Sequence, residues 1–383
     1  MQNNKLLLLA LSLAVFGVIT TELGIIGLLP ELVKTLHVTP TQVGFLVSIY
    51  AIVVAISGPF ITLLLSGFDK KKVLVSILAV FVFSNLMYAV TDALNLMIVF
   101  RIIPALFHAV FFAVALVTAT RSVPKEKSAG AAAKVFAGVA VGLVIGVPLS
   151  TLIAENLSLS AAFLFSAAAC FVALLGILFY VPSMPTTNRL SFSSQLSILR
   201  SKTVWLALMM VTFVFSAMFS SFSYIADYLS AITHLNNNYI SAMLVAFGVF
   251  GLIGNFIFSV FLQKNTVRTT LLYPLFYILI FLLVWEYGHS AMLMCGLIVI
   301  WGAFHSSGLL ISQTWLMREA SRAPEFANSL YISFSNLGIT IGSLAGGWFI
   351  SRFGTHSLVL SSIIFSVLAF LFIVAGRKST VTV

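Results

Sequence analysis

Glu22 is the residue best placed to do chemistry in this chain, because it is a carboxylate set well inside a long apolar run. At a helical rise of about 1.5 Å per residue it lies about 24 Å from Leu6 and about 12 Å from Pro30, in the outer half of a bilayer if that run crosses one. A carboxylate is costly to keep charged in hydrocarbon, so it must either exchange protons or pair with a cation. Arg101, at similar depth in another run, is the matching counter-ion. It keeps its proton, so it would equally anchor an anionic or polar solute, or snorkel outward past Asn95 to the headgroups. His108 follows seven residues later on the same helix face, with a proton affinity suited to a switch. The competing reading is a neutral histidine hydrogen-bonded to a neighbouring helix.

Two further runs carry polar groups at helical spacing. Ser216, Ser220, Ser223, Tyr224 and Asp227 form a stripe on one face, which lipid exposure would waste, so it should face protein or water. Asp227, at the outer end, reads as a solvated loop charge. Trp301, His305 and Ser312 share another face, with Gln313 beside it, and suit a pocket gripping a polar and a flat part of a ligand. Trp301 as plain packing is the alternative. Asn85, Asn255 and Asn336 read as bridges between helices. His37, His234, His289 and His356 fall in outer loops without metal-ligand spacing. Cys170 and Cys295 lie within apolar runs and frame neither a disulfide scaffold nor a metal site. The chain has no phosphate-binding glycine loop, nucleophile elbow or pair of carboxylates in one loop. An enzyme, an ATP-driven pump, a metal and a cofactor are therefore not expected.

The elements that must position these residues are membrane helices. Hydrophobic residues make up 61% of the 383 and charged residues 8%, whereas a soluble chain carries about a quarter charged residues. Apolar runs of the length that crosses a bilayer recur twelve times, from 6–30 to 357–376. The first is too long, and too soon followed by others, to be a cleaved signal peptide. No barrel-like alternation appears, so the expected fold is all-α and integral to the membrane. The net charge of +10 is a topology signal rather than a nucleic-acid footprint. With both termini in the cytoplasm, every basic residue except Lys34, Arg101 and Arg352 falls in an inner loop or end, as the positive-inside rule requires.

The chain also repeats itself. Pro124, Gly138, Gly142 and Gly146 recur 200 residues later as Pro324, Gly338, Gly342 and Gly346. At the same offset Arg101 becomes Trp301. Gly58 and the loop starting at Asp69 recur 196 residues later as Gly254 and the loop starting at Asn265, so loop lengths differ between the copies. Glycines at four-residue spacing let helix backbones approach closely, and the ladder 138/142/146 ends near Pro148. Duplicated apolar halves are a common architecture of secondary transporters. The polar interval 182–202 reads as a cytoplasmic linker, with a short helix near Phe192–Leu199, joining a first half, 1–181, to a second, 203–383.

These residues resemble the major facilitator superfamily, in the arabinose-efflux-permease-like branch of its drug:proton antiporters. The similarity covers the whole chain. It rests on Thr20-Thr21-Glu22-Leu23-Gly24 and Gly27-Leu28-Leu29-Pro30-Glu31, and on Arg101, Phe107-His108 and Arg121. Gly146-Val147-Pro148-Leu149, Gln313 and Phe334-Ser335-Asn336-Leu337-Gly338 add to it. Ala109 and Ser150 stand where the branch has glycine, and Asp227 where it commonly has proline. Ser66-Gly67 replace the Asp and Arg of the loop after the second helix, leaving only Lys70–Lys72. The resemblance implies twelve helices in two pseudo-symmetric six-helix bundles, with the first, fourth, seventh and tenth lining a central cavity. It implies a monomeric transporter in a bacterial inner membrane, exporting a sugar, nucleoside, purine or amphipathic drug in exchange for protons. An uptake symporter or facilitator of the same fold is the alternative. Glu22 and His108 would then carry the proton. Arg101, Ser220, Tyr224, Trp301, His305 and Gln313 would hold the solute. Gly138, Gly142, Gly146, Pro148, Gly338, Gly342 and Gly346 would form the conformational motif.

Overall fold

Backbone groups that cannot reach water must be satisfied within their own segment, and long apolar runs solve this by coiling. The computed structural model describes residues 2–38, 40–185 and 192–380, and among these it contains helices and the turns between them, with no strand. The chain divides into two compact units, residues 1–192 with 324–333, and residues 193–323 with 334–383.

The first unit holds α1 (Gln2–Leu36), α2 (Pro40–Leu65), α3 (Lys70–Val90), α4 (Leu94–Arg121), α5 (Ser128–Val141), α6 (Val147–Asn156) and α7 (Leu159–Tyr180). The second holds α9 (Lys202–Phe222), α10 (Ile225–Ala231), α11 (Asn237–Tyr287), α12 (Ala291–Glu319), α14 (Leu358–Thr380) and most of α8 (Phe192–Leu196) and of α13 (Pro324–Phe353). The short helix expected in the linker is α8, continued by a 3₁₀ turn over Ser197–Arg200. Linker residues 186–191 lie outside the described set.

Among the described residues, ten helical stretches are long and apolar enough to cross a membrane. One of them, Tyr239–Tyr287, belongs to α11, whose 51 residues bend at Asn265 and so make two passes. The 30 residues of α13 are also long enough, at about 45 Å, although its serines and asparagines make it less apolar. The twelve expected passes are thereby accounted for. Outward faces carry large exposed apolar side chains such as Phe60, Phe83, Leu152, Phe179, Ile257 and Leu371, which water would penalise and lipid accepts.

Local signals set the helix ends. Asp69 caps α3, its carboxylate accepting from the Lys72 N–H at 3.0 Å. Asn265, 196 residues later, accepts in the same way from the Arg268 N–H at 2.9 Å. The Ser183 hydroxyl donates to the other Asp69 oxygen at 2.7 Å, tying the start of the linker to this loop. Lys70 is nearly buried, donating to the Ser66 carbonyl at 2.8 Å and to the Glu325 carboxylate at 2.7 Å. Glu325 stands in the first turn of α13, where the helix dipole favours an acid. The loop lacks the Asp and Arg of the superfamily pattern and makes this ion pair instead, between residues 255 apart in the chain.

Both glycine ladders are contact surfaces. A methyl group at Gly138 would strike the Ser12 carbonyl, at Gly142 the Ile19 side chain and at Gly146 Thr20, all on α1. The second ladder meets the Thr212, Ser216 and Ser220 carbonyls of α9. The two ladders differ in winding: residues Gly142–Gly146 form a π turn between α5 and α6, whereas α13 runs unbroken through Gly338, Gly342 and Gly346. Pro148 stands just after the π turn, inside the continuous helix that α5, the turn and α6 form, where its missing N–H interrupts the ladder of backbone hydrogen bonds.

Candidate functional site

In the first unit, Glu22 of α1, Tyr50 of α2, and Arg101 and His108 of α4 converge. They come from three helices whose packing buries Tyr50, Arg101 and His108, at 1%, 1% and 3% exposure, and leaves Glu22 partly exposed. The Glu22 carboxylate reaches His108 Nε2 at 3.7 Å. On the other side of the imidazole, Nδ1 lies 2.9 Å from the Tyr50 hydroxyl. Phe112, one turn further along α4, stacks on the imidazole at 4.9 Å between centroids. One carboxylate and one imidazole in an apolar shell can hold or pass a proton, which neither an isolated aliphatic surface nor a fixed cation can do.

Arg101 takes a different place from the ion pair weighed in sequence analysis. Its guanidinium donates to main-chain carbonyls: Nε to Leu46 at 3.0 Å, Nη1 to Thr21 at 2.8 Å and Nη2 to Glu22 at 2.5 Å. It also lies over the Tyr50 ring, 4.3 Å from the centroid. Arg101 therefore grips the backbone that carries Glu22 rather than the carboxylate itself. Asn85 of α3 bridges to the same turn, donating to Thr21 Oγ1 at 2.9 Å, and Cys170 of α7 lies 3.7 Å from that hydroxyl. These supports were only partly legible. Asn85 stood out as a bridge, but Tyr50 and Cys170 looked like ordinary members of apolar runs.

In the second unit, Trp301 and His305 of α12 meet at one hydroxyl. Tyr277 accepts from Trp301 Nε1 at 3.2 Å and lies 3.3 Å from His305 Nδ1. Phe219, Phe222 and Phe247 surround the His305 ring at 4.7–5.5 Å. Gln313 is buried further along α12. The serine stripe of α9 faces protein: Ser216 donates to the Gly338 carbonyl at 3.0 Å, and Ser220 pairs with Ser362 of α14 at 2.7 Å. Tyr224 donates to the Ser343 carbonyl at 2.9 Å. It also borders a recess of about 420 Å³ with Asp227, Ser230, Gly347, Ser351 and Thr355. Ser220 thus lies within helix packing, whereas Tyr224 reaches an open surface.

A duplicated bundle of apolar helices enclosing a few buried polar groups defines a membrane transporter rather than an enzyme. The chain matches the Major Facilitator Superfamily over residues 11–285 and again over 208–381, and it belongs to that family. It is similar to the inner membrane transport protein YdhP of Escherichia coli strain K12, with 31% identity over 98% of this chain and 97% of that one. It is also similar to the uncharacterized MFS-type transporter YfhI of Bacillus subtilis, with 26% identity over 92% of this chain and 89% of that one. Among solved structures, a bacterial homologue of the iron transporter ferroportin in its outward-facing state superposes with a TM-score of 0.80, covering 99% of this chain and 100% of that one at 14% identity. The Escherichia coli fucose:proton symporter FucP superposes with a TM-score of 0.78, covering 96% and 98% at 15% identity. These two likenesses concern the fold.

Proposed function

We propose that this transporter exports a small organic solute, a sugar, nucleoside, purine or amphipathic drug, in exchange for protons by alternating access. Glu22 and His108 carry the proton. The observation behind this reading is their pairing at 3.7 Å, with side chains 14% and 4% exposed. A carboxylate in such surroundings must have its charge balanced each time the site changes exposure, and a proton or a solute can do that. Coupling follows only if each ligand binds the two conformations unequally. The chain acts as a monomer in a bacterial inner membrane, with both termini and the linker in the cytoplasm. The distribution of basic residues supports that orientation.

The test is proton flux in everted vesicles energised by respiration, with a panel of sugars, nucleosides and antibiotics. Wild type should lose its acid-inside gradient when the exported solute is added, and Glu22→Gln should not. A mutant that keeps the response would remove Glu22 from the mechanism. Uptake by symport through the same fold is the second reading, since a carboxylate–imidazole pair inside the helices serves either direction. Solute and proton moving in the same direction in this assay would establish it over export.

A further inference from the structure

We propose that Tyr50 is a positioning residue for the proton-carrying pair: its hydroxyl donates to His108 Nδ1 and so fixes the tautomer whose Nε2–H points at Glu22. The role of the pair rests on the exchange reading above, but the tautomer itself does not.

A neutral imidazole carries one N–H and one bare nitrogen, and the hydrogen bond at one nitrogen decides the state of the other. His108 has a partner on each side, the Tyr50 hydroxyl at 2.9 Å from Nδ1 and the Glu22 carboxylate at 3.7 Å from Nε2. If Nδ1 carried the hydrogen, bare Nε2 would turn its lone pair toward an ionised Glu22, and two acceptors would face each other; a protonated Glu22 could donate to it, and there the Tyr50 hydroxyl alone decides. The Tyr50 O–H would also have nowhere to donate, because among the described residues its hydroxyl meets only His108. With Nε2 carrying the hydrogen, both conflicts vanish. Tyr50 donates, Nδ1 accepts, and Nε2–H faces the carboxylate across 3.7 Å, a distance for charge attraction rather than a hydrogen bond.

The ring of Tyr50 is held where this donation requires it. It is 1% exposed, lies beneath the Arg101 guanidinium at 4.3 Å, and meets the imidazole edge-on, 5.6 Å between centroids and 85° between planes. Arg101 in turn grips the Glu22 and Thr21 carbonyls of α1 and the Leu46 carbonyl of α2. One tyrosine therefore touches both the cation that fixes the Glu22 backbone and the imidazole that faces its side chain.

The experiment is ¹⁵N spectroscopy of the histidine rings in the full-length protein in nanodiscs, without solute or gradient, with His108→Gln spectra identifying the His108 signals. Wild type is expected to show a single His108 tautomer with the hydrogen on Nε2. In a Glu22→Gln background, where no carboxylate faces Nε2, Tyr50→Phe keeps the ring and removes the donor, so it should give a mixture of the two tautomers, and 3-fluorotyrosine at position 50 should restore the single form. A wild-type Nδ1–H tautomer, or a Glu22→Gln/Tyr50→Phe spectrum identical to that of Glu22→Gln alone, would overturn the assignment. Should Tyr50→Phe fail to fold, the fluorotyrosine protein decides alone. Its more acidic phenol should shift the Nδ1 signal further in the hydrogen-bonded direction, and no shift would refute donation. Because no transport is measured, this result stands apart from proton exchange, whose failure would appear as wild-type vesicles without solute-driven proton flux.

Discussion

Arg101 illustrates how a buried charge can be structural in its contacts and functional in its effect. Its three carbonyl partners join α4 to α1 and α2, so the residue sets where Glu22 stands. Lysine keeps the charge but offers a single nitrogen, which cannot reproduce a planar fork spread over three carbonyls. Hydrogen bonds to charged groups contribute about 1.5–3 kcal/mol each, so Arg101→Lys should destabilise the protein by at least that much. A lower melting temperature in detergent, together with slowed solute-driven proton flux, is the expected outcome. Unchanged melting would mean the carbonyl contacts contribute little. At this scale the sequence was informative about which residues matter and poor about their partners. Glu22, Arg101 and His108 are conspicuous because charge and titratable groups are rare in apolar runs. The pairing of His108 with Tyr50, and of Trp301 and His305 with Tyr277, depends on helix rotation, which residue types alone do not reveal.

The glycine ladders show that two elements can be placed by what their residues lack. Gly138 meets the Ser12 carbonyl of α1 so closely that even a methyl group has no room, whereas Gly296 of α12 has nothing within 4 Å of its missing Cβ. Gly138→Ala should therefore cost about 1–3 kcal/mol through overpacking. Gly296→Ala, relieved of any clash, should stay within about 1 kcal/mol of wild type in the direction of greater stability. Melting curves of the two variants, measured side by side, check this. Equal behaviour would mean that α1 and α5 yield freely at their contact. The ladders were legible because spacing by four survives in the sequence. The π turn at Gly142–Gly146 was not, since both copies share that spacing and only one is wound this way.

At the scale of the whole molecule, the duplication was the most readable feature, and it extends to helix ends. Asp69 and Asn265 stand 196 residues apart, as the repeat requires, and each caps the helix that follows it. The twelve passes were legible from hydropathy, although α11 shows that a pass boundary can be a single bent residue rather than a polar loop. The ion pair of Lys70 with Glu325 was hidden because its partners are 255 residues apart. The two caps also differ in a way that gives the molecule an uneven response to acid. Partial burial works against the Asp69 charge, but hydrogen bonds from Ser183 and from the Lys72, Met184 and Lys71 N–H groups outweigh it and hold this carboxyl below its ordinary value of 3.8. A depressed carboxylate contributes stability above its unfolded value and loses it as pH falls through the folded one. The melting difference between wild type and Asp69→Asn should accordingly be present at neutral pH and shrink as pH drops below 3.8. An Asn265→Ala difference should stay constant over the same range, because an amide does not titrate there. Acid thus distinguishes two copies that neutral conditions leave alike: the start of α3 loosens first, while its counterpart in α11 keeps its cap.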